Sequence, residues 1–452
     1  MGKNFFTFLL LIVWLGGVAF SESFGLTLSP AQSRVAMLLG VATILWVSEI
    51  VPLFVVSFII LGTNLIFIAP VAVTKHASTV YFEPFFSSII LLFLGGFVVS
   101  KLFQTYHFDK QLAMMLLKYT KGRSLQLLIG MVLLAAGLSM WMSNTATAAV
   151  VLVLLLPIAT QLDQDDPLRK SLFLAVPFAC NIGGFATPIG SPPNAIALAA
   201  LQKNGYQVGF LQWFSWTFPI VMILCLLIIG VLWVCYRPKH SVVVFDESSL
   251  EKPQWTKPRI MALMIIILTI LGWMFSRQLG VASSTMSLLP IIGAFSLKLL
   301  DEGSFKQLPW DVIFMVGGGV SLGLSLQAAG IDQTIRDLLN GWKEVSLAAM
   351  VILGILVMAL STFMSNTATA GLILPLVVVV GDRFDLAEEG ALLVTLACSA
   401  AMTLPISTPP NSIAFSSGML EVRDIVKAGS VISLVSVTII SICALGYWRW
   451  VL

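Results

Sequence analysis

Apolar runs long enough to cross a bilayer follow one another along almost the whole of this 452-residue chain. A hydrocarbon core about 30 Å thick needs about 20 consecutive apolar residues in helical form. Runs near that length fall at roughly 5–20, 32–48, 52–70, 85–104, 171–203, 212–236, 258–276, 284–300, 309–328, 389–419 and 425–448. Two longer tracts, 124–161 and 345–381, each carry a polar centre. Unpaired backbone groups cost several kcal/mol in lipid, so such runs must close their hydrogen bonds within themselves, as helices. Charged residues make up only 10% of the chain, against about 25% in soluble domains, so most of the surface does not face water. The chain reads as an all-α polytopic membrane protein.

The first run, FFTFLLLIVWLGGVAF behind Lys3, has the make-up of a secretory leader. No small-x-small cleavage site follows before SESFG, so a first spanning helix is the better reading. The net charge of +3 sits in loops and points to no nucleic-acid partner. Cys180, Cys225, Cys235, Cys398 and Cys443 lie in or beside apolar segments without CxxC spacing, which fits packed free thiols. Lys and Arg divide about two to one in favour of an inner N-terminus. Lys101, Lys110, Arg123, Lys170 and Lys257 belong to the inner set; Arg34, Lys203, Arg277, Arg383 and Arg449 belong to the outer. An odd number of net crossings then puts the C-terminus outside. The stretch HFDKQLAMMLLKYTKG (107–122) spaces its apolar residues helically with lysines between, as a helix flat in the inner interface or a cytosolic helix would.

The heptapeptide MSNTATA occurs twice, at 142–148 and 364–370, each time in the middle of a long apolar tract. Each tract is either a pair of full crossings or a re-entrant hairpin; both return the chain to the side it left. Other features recur in the same order. LFLGGF (92–97) precedes the first copy and FMVGGGV (314–320) the second, with Gly95 and Gly96 matching Gly317 and Gly318. TPIGSPPN (187–194) follows the first and PISTPPN (405–411) the second, both as breaks in apolar runs. A polar stretch at 236–260 separates the halves as a cytoplasmic linker. Matching points are separated by an odd number of crossings, so the halves are inverted relative to each other. Inverted repeats with paired helix breaks are the pattern of a secondary transporter, with its site where the breaks meet.

The repeated residues suit ion chemistry. Pro192 and Pro193 remove two N–H donors and Gly190 permits unusual backbone angles, which frees carbonyls around Pro188 to Gly190. Hard oxygens of this kind suit Na⁺. The second break, Pro405 to Pro410, offers the same with Ser407 in place of Gly190. At each tip, Ser143 or Asn144, and Ser365 or Asn366, can cap a helix starting near Thr145 and Thr367. The arm before the tip ends in carbonyls that favour a cation, and the arm after it begins with N–H groups that favour an anion. Ser139 and Ser361, one turn before their tips, can add a hydroxyl to the cation site.

Ser, Asn and Thr also serve as ordinary interhelical glue in membranes, and a polar turn at the far surface would account for each tip if the tracts span fully. Repetition together with two Pro-Pro-Asn breaks favours the ion-binding reading. For the paired glycines, close helix packing is the better account. No span carries an acidic pair or a DxxD, HExxH or GxxxxGK[ST] motif. His76, His107 and His240 fall at helix ends or loops, and Glu49 sits at the turn before Pro52. An enzyme or proton pump would place ionisable groups at mid-membrane. With no Arg or Lys to meet an anionic substrate there, the positive charge must come from helix dipoles and co-bound cations. That ties the anion to the ion.

The order SNT, TPIGSPPN, SNT, PISTPPN resembles the divalent-anion:sodium symporter family of dicarboxylate, citrate and sulfate carriers. The resemblance covers essentially the whole chain. CSAAMTLPISTPPNSIA (398–414) is similar to the family signature, with Met402 where Phe is usual and Ala414 where Val is usual. The resemblance implies a homodimer with eleven transmembrane helices and two re-entrant hairpins, in which a transport domain slides against a scaffold domain like an elevator. On this chain, residues 1–31 are then an N-terminal helix. The first inverted repeat is 32–236 (scaffold 32–123, transport 124–236), the linker 237–257, and the second repeat 258–452 (scaffold 258–344, transport 345–452). By motif match, a first sodium site takes Ser139, Ser143, Asn144 and Gly190. A second takes Ser361, Met364 through its backbone, Asn366, Ser407 and Pro409 through its backbone. The substrate falls on Asn144, Thr145, Asn366 and Thr367, with Ser191 and Thr408 nearby. The family's carboxylate carriers are similar in having Thr at both third positions, which favours succinate, fumarate or malate over sulfate; sodium-coupled sulfate or citrate transport is the alternative. The expected activity is Na⁺-coupled symport, not catalysis, in a bacterial inner membrane.

Overall fold

The computed structural model describes residues 2–19, 28–73, 78–120, 122–159, 162–163, 166–238, 254–338 and 344–452. Most of the expected linker lies outside the described residues, as do His76 and His240. The regular elements are all helices. The first half comprises α1 (Gly2–Ala19), α2 (Pro30–Ser48), α3 (Leu53–Thr63), α4 (Ser88–Thr105), α5 (Phe108–Thr120), α6 (Ser124–Ser139), α7 (Asn144–Ala159), α8 (Pro167–Gly183), α9 (Pro192–Lys203) and α10 (Phe210–Cys235). The second comprises α11 (Lys257–Met274), α12 (Ser283–Met286), α13 (Leu288–Ser296), α14 (Glu302–Lys306), α15 (Trp310–Ala328), α16 (Ile331–Leu338), α17 (Leu347–Phe363), α18 (Asn366–Arg383), α19 (Ala387–Ser399), α20 (Pro409–Ser416), α21 (Val422–Leu445) and α22 (Tyr447–Val451).

Local chemistry sets the helix ends. Ser29 and Gln32 form a capping box ahead of Pro30, and Ser87, Asp166 and Ser346 cap α4, α8 and α17 through their side chains. Glu49 closes α2 in the left-handed region, at φ 49°, donating its N–H to the Leu45 carbonyl. It is the turn residue expected before Pro52. Among the described residues, seven helical segments are long and apolar enough to cross a membrane. The other four runs expected to cross are of two kinds. Thr7–Ala19 and Ser283–Ser296 are apolar but shorter, and the tracts containing α8–α9 and α19–α20 are interrupted in the middle.

The interruptions decide how the two SNT tracts lie. α6 and α7 have 16 residues each, about 24 Å, less than the hydrocarbon thickness. Their tip is bonded to the middle of the α8–α9 crossing, where Thr187 Oγ1 donates to the Met140 carbonyl. A tip held at mid-crossing turns back inside the layer, which selects the re-entrant hairpin over two full crossings. α6 packs along α8 and α17 along α19, and each returning arm packs both on its own half and on the other: α7 on α8 and α20, α18 on α19 and α9. The same exchange is made in both halves, as two related repeats require. α5 packs on α6 with Leu116 against Gly130.

The glycine pairs do pack helices closely. A Cβ on Gly95 would meet Ser287, and one on Gly318 would meet Ser57. All five cysteines are free thiols.

One polar latch ties the halves at one face. Lys170 Nζ lies 2.8 Å from Asp424 Oδ2, and Tyr236 donates to the Asp424 carbonyl at 3.2 Å. Asp424 is only 6% exposed. Lys170→Ala strands a buried carboxylate and is expected to cost about 1–3 kcal/mol. The check is a thermal melt in detergent, where the midpoint should fall by several degrees.

Candidate functional site

Both tips form as capped helix starts. Ser143 Oγ accepts from the Ala146 N–H at 3.2 Å and Ser365 Oγ from the Ala368 N–H at 3.1 Å. Serine is therefore the cap at each tip, and Asn144 and Asn366 are the first helical residues. In both hairpins the serine one turn earlier donates to that asparagine. Ser139 Oγ lies 2.6 Å from Asn144 Oδ1, and Ser361 Oγ lies 2.8 Å from Asn366 Oδ1. Ser139 and Ser361 are fully buried.

The breaks close on these pairs differently. In the first, a methyl on Gly184 would lie 2.8 Å from Asn144 Oδ1 and 3.1 Å from the Gly190 carbonyl oxygen. Ser139, Asn144 and Gly190 thus bring their oxygens together around a glycine. In the second, Ser361 Oγ lies 2.8 Å from the Cys398 carbonyl as well as from Asn366 Oδ1. The hydroxyl has one proton and two acceptors to serve, so this buried oxygen cluster is one donor short. The Cys398 carbonyl is free because the break redirects its helical partner: Met402 N–H donates to Ser433 Oγ at 3.1 Å.

The asparagine that ends each Pro-Pro-Asn shapes the breaks. Asn194 Nδ2 donates to the Gly184 and Thr187 carbonyls at 2.8 and 2.7 Å, and Asn411 Nδ2 donates to the Met402 and Leu404 carbonyls at 3.1 and 3.0 Å. Both are fully buried. Each amide gathers two carbonyls that a continuing helix would have used. Asn181 Nδ2, from the first half, donates to Thr408 Oγ1 at 3.1 Å and Asn411 Oδ1 at 3.4 Å in the second. The helix that leads into the first break therefore meets the second break.

The remaining expected residues take varied places. Ser143 and Thr145 are exposed, and Thr367 is partly buried beside its tip. Ser191 is buried at the start of α9, and Thr408 caps α20 by accepting from the Asn411 N–H. Ser407 Oγ accepts from the Leu404 N–H, Met364 N–H donates to the Leu360 carbonyl, and Pro409 is exposed. Gly184, Asn181, Thr187, Asn194, Asn411 and the Cys398 carbonyl were not singled out from sequence. The Asn of each Pro-Pro-Asn was the one with a legible signal, since it recurs in both halves. A cavity of about 460 Å³ leads to the first break. It runs from Arg277, Ser283 and Gln202 down to Pro188 and Phe210. Phe210 stacks on Trp141 beside the tip, with ring centroids 6.1 Å apart, and on Trp273 at 5.3 Å.

A family model described as citrate transporter matches residues 43–391. An uncharacterized transporter of Haemophilus influenzae is 30% identical over 444 residues, covering 93% of this chain and 92% of that protein. A sodium-dependent dicarboxylate transporter of Staphylococcus aureus is 27% identical over 450 residues, covering 90% of this chain and 84% of that one. An inorganic phosphate transporter of Saccharomyces cerevisiae is 29% identical over 405 residues, covering 86% of this chain but 43% of its own length. The crystal structure of the YdaH transporter of Alcanivorax borkumensis superposes with a TM-score of 0.59 at 12% identity, covering 90% of this chain and 98% of that one.

Proposed function

The chain belongs to the citrate transporter family, a family of membrane transporters rather than enzymes, and from that premise we propose that it is a sodium-coupled symporter of a C4-dicarboxylate such as succinate, fumarate or malate. The observation that carries this reading is the doubled oxygen cluster. Ser139 with Asn144 and Gly190, and Ser361 with Asn366 and Cys398, put neutral oxygens at two buried points and supply too few protons for them. Sodium ions there would use Ser143, Met364, Ser407 and Pro409 as further neighbours in the way the motif match implies. Beside them the N-termini of α7 and α18, with Asn144, Thr145, Asn366 and Thr367, present donors to a carboxylate. Two bound cations compensate a doubly charged anion that has no basic side chain to meet it. The sodium-dependent dicarboxylate relative supports the coupling and the substrate class.

Eleven crossings, a homodimer and an elevator motion of the hairpin-bearing unit past α4 and α15 complete the proposal, with the N-terminus inside and the C-terminus outside a bacterial inner membrane. Gly96 against Ile189 and Gly319 against Gly371 are the close approaches along which that unit would slide. The test is uptake of labelled succinate into proteoliposomes with and without a Na⁺ gradient. Uptake that ignores Na⁺ and follows a proton gradient would overturn the reading.

A phosphate-carrying relative at similar identity supports a second reading, in which the dianion is inorganic phosphate, alongside sulfate or citrate. Competition by unlabelled succinate, citrate, phosphate and sulfate separates these. Arg277, held by Gln212 at 2.7 Å on the cavity wall, would attract any of them. Arg277→Glu is expected to raise KM about three- to tenfold at low ionic strength with little change in maximal rate, and high salt should shrink the difference. Uptake kinetics at two salt concentrations check it.

A further inference from the structure

The two breaks are built alike and held differently. Asn194 gathers the Gly184 carbonyl and Asn411 gathers the Met402 carbonyl, ten and nine residues before them, so Gly184 and Met402 play the same part. Three residues before each stand Asn181, two residues from the end of α8, and Ser399, the last residue of α19. Asn181 donates across the repeat boundary to Thr408 Oγ1 and Asn411 Oδ1. The mirror of that contact would run from Ser399 to Ser191 and Asn194. It is not made: Ser399 Oγ and Asn194 Oδ1 are both fully buried and both lack a hydrogen-bond partner. Serine is shorter than asparagine and cannot bridge the same gap. Two orphaned oxygens on matching positions show where the second bond is missing.

We infer that Asn181 is a positioning residue for the second cation cluster, and that Ser399 leaves the first break without the equivalent tie. This inference rests on the sodium-coupled reading above. Asn181 acts through three bonded steps. It fixes Thr408 and Asn411, Asn411 fixes the Met402 and Leu404 carbonyls, and Met402 N–H is turned to Ser433, which frees the Cys398 carbonyl for Ser361. Residues of one repeat thereby set the oxygen geometry of the other. The second break is thus fixed from the opposite repeat, whereas the first is held within its own half, by Thr187 on the Met140 carbonyl, Trp213 on the Phe185 carbonyl and Thr217 on the Ala186 carbonyl.

The experiment is a Na⁺ titration of uptake in proteoliposomes for the wild type, Asn181→Ser, Thr408→Val, the double variant and Ser399→Asn. Asn181→Ser, which copies the mirror residue, should raise the half-saturating Na⁺ about five- to tenfold, with the maximal rate at saturating Na⁺ within about twofold. Thr408→Val should raise the half-saturating Na⁺ at least as far, whatever its effect on the maximal rate, and the double variant should be no worse than the worse single, because the two variants share the Asn181–Thr408 contact. Ser399→Asn should lower the half-saturating Na⁺ by supplying the missing tie. An unshifted Na⁺ dependence in Asn181→Ser, with or without a lower melting temperature, overturns the inference, as does an additive double variant. Should Asn181→Ser fail to fold, Thr408→Val carries the same test. A wild type indifferent to Na⁺ would overturn the transport reading and this inference together; a sodium-dependent wild type beside an unshifted variant overturns this inference alone.

Discussion

Asn144→Ala should reduce sodium-driven dicarboxylate uptake by at least about 100-fold, a loss of roughly 2.7 kcal/mol or more in transition-state terms. The amide oxygen accepts from the buried Ser139 hydroxyl and lies beside the Gly190 carbonyl. Removing it leaves the Ser139 hydroxyl without its acceptor, at about 1–3 kcal/mol, and takes one oxygen from a cluster that has few. Its place at the start of α7 means that the donor side of the tip loses an amide as well. Asn144→Asp separates the two roles. It keeps an oxygen for the cation and adds a negative charge beside the anion, so Na⁺ binding should persist while dicarboxylate binding is lost. Na⁺- and substrate-induced changes in tryptophan fluorescence check both, since Trp141 lies three residues before Asn144. Asn144→Ala uptake at wild-type rates would remove the first cation cluster from the mechanism.

The second large effect comes from two adjacent glycines with different neighbours. A Cβ on Gly183 would lie 2.3 Å from the Ala136 carbonyl oxygen and 2.6 Å from its Cα, both backbone atoms of α6. Neither can turn aside, so Gly183→Ala must push α6 and α8 apart at their tightest crossing. A cost of about 1–3 kcal/mol or more is expected, seen as a lowered melting temperature or loss of monodisperse protein. A Cβ on Gly184 would instead meet Asn144 Oδ1 at 2.8 Å and the Gly190 carbonyl at 3.1 Å. That residue stands against the oxygens rather than against a helix axis. Gly184→Ala should fold and melt near the wild type and yet lose at least about tenfold in Na⁺ affinity. Uptake and melting curves on both variants would reveal an exchange of phenotypes if the assignment were reversed.

Much was legible in the amino-acid order. Apolar run length gave the spanning helices, because lipid permits no other way to satisfy a backbone. The duplicated MSNTATA and the twin Pro-Pro-Asn breaks gave the repeats. The place of Ser139 and Ser361 one turn before their tips followed from helical spacing, though their bonds to Asn144 and Asn366 did not. These are local properties: they depend on residues within one or two turns of each other.

What only the tertiary structure decided was which distant groups close each cluster. Whether the SNT tracts turn back inside the layer depended on Thr187 reaching Met140, 47 residues away. The Cys398 carbonyl joined the second cluster because Ser433, on another helix, takes the N–H that would have covered it. The tie from Asn181 to Thr408 and Asn411 spans 227 and 230 residues. Carbonyls carry no side-chain signature, and a partner so remote leaves no periodicity in the chain. Spacing fixes what a segment offers, and packing alone fixes what it meets.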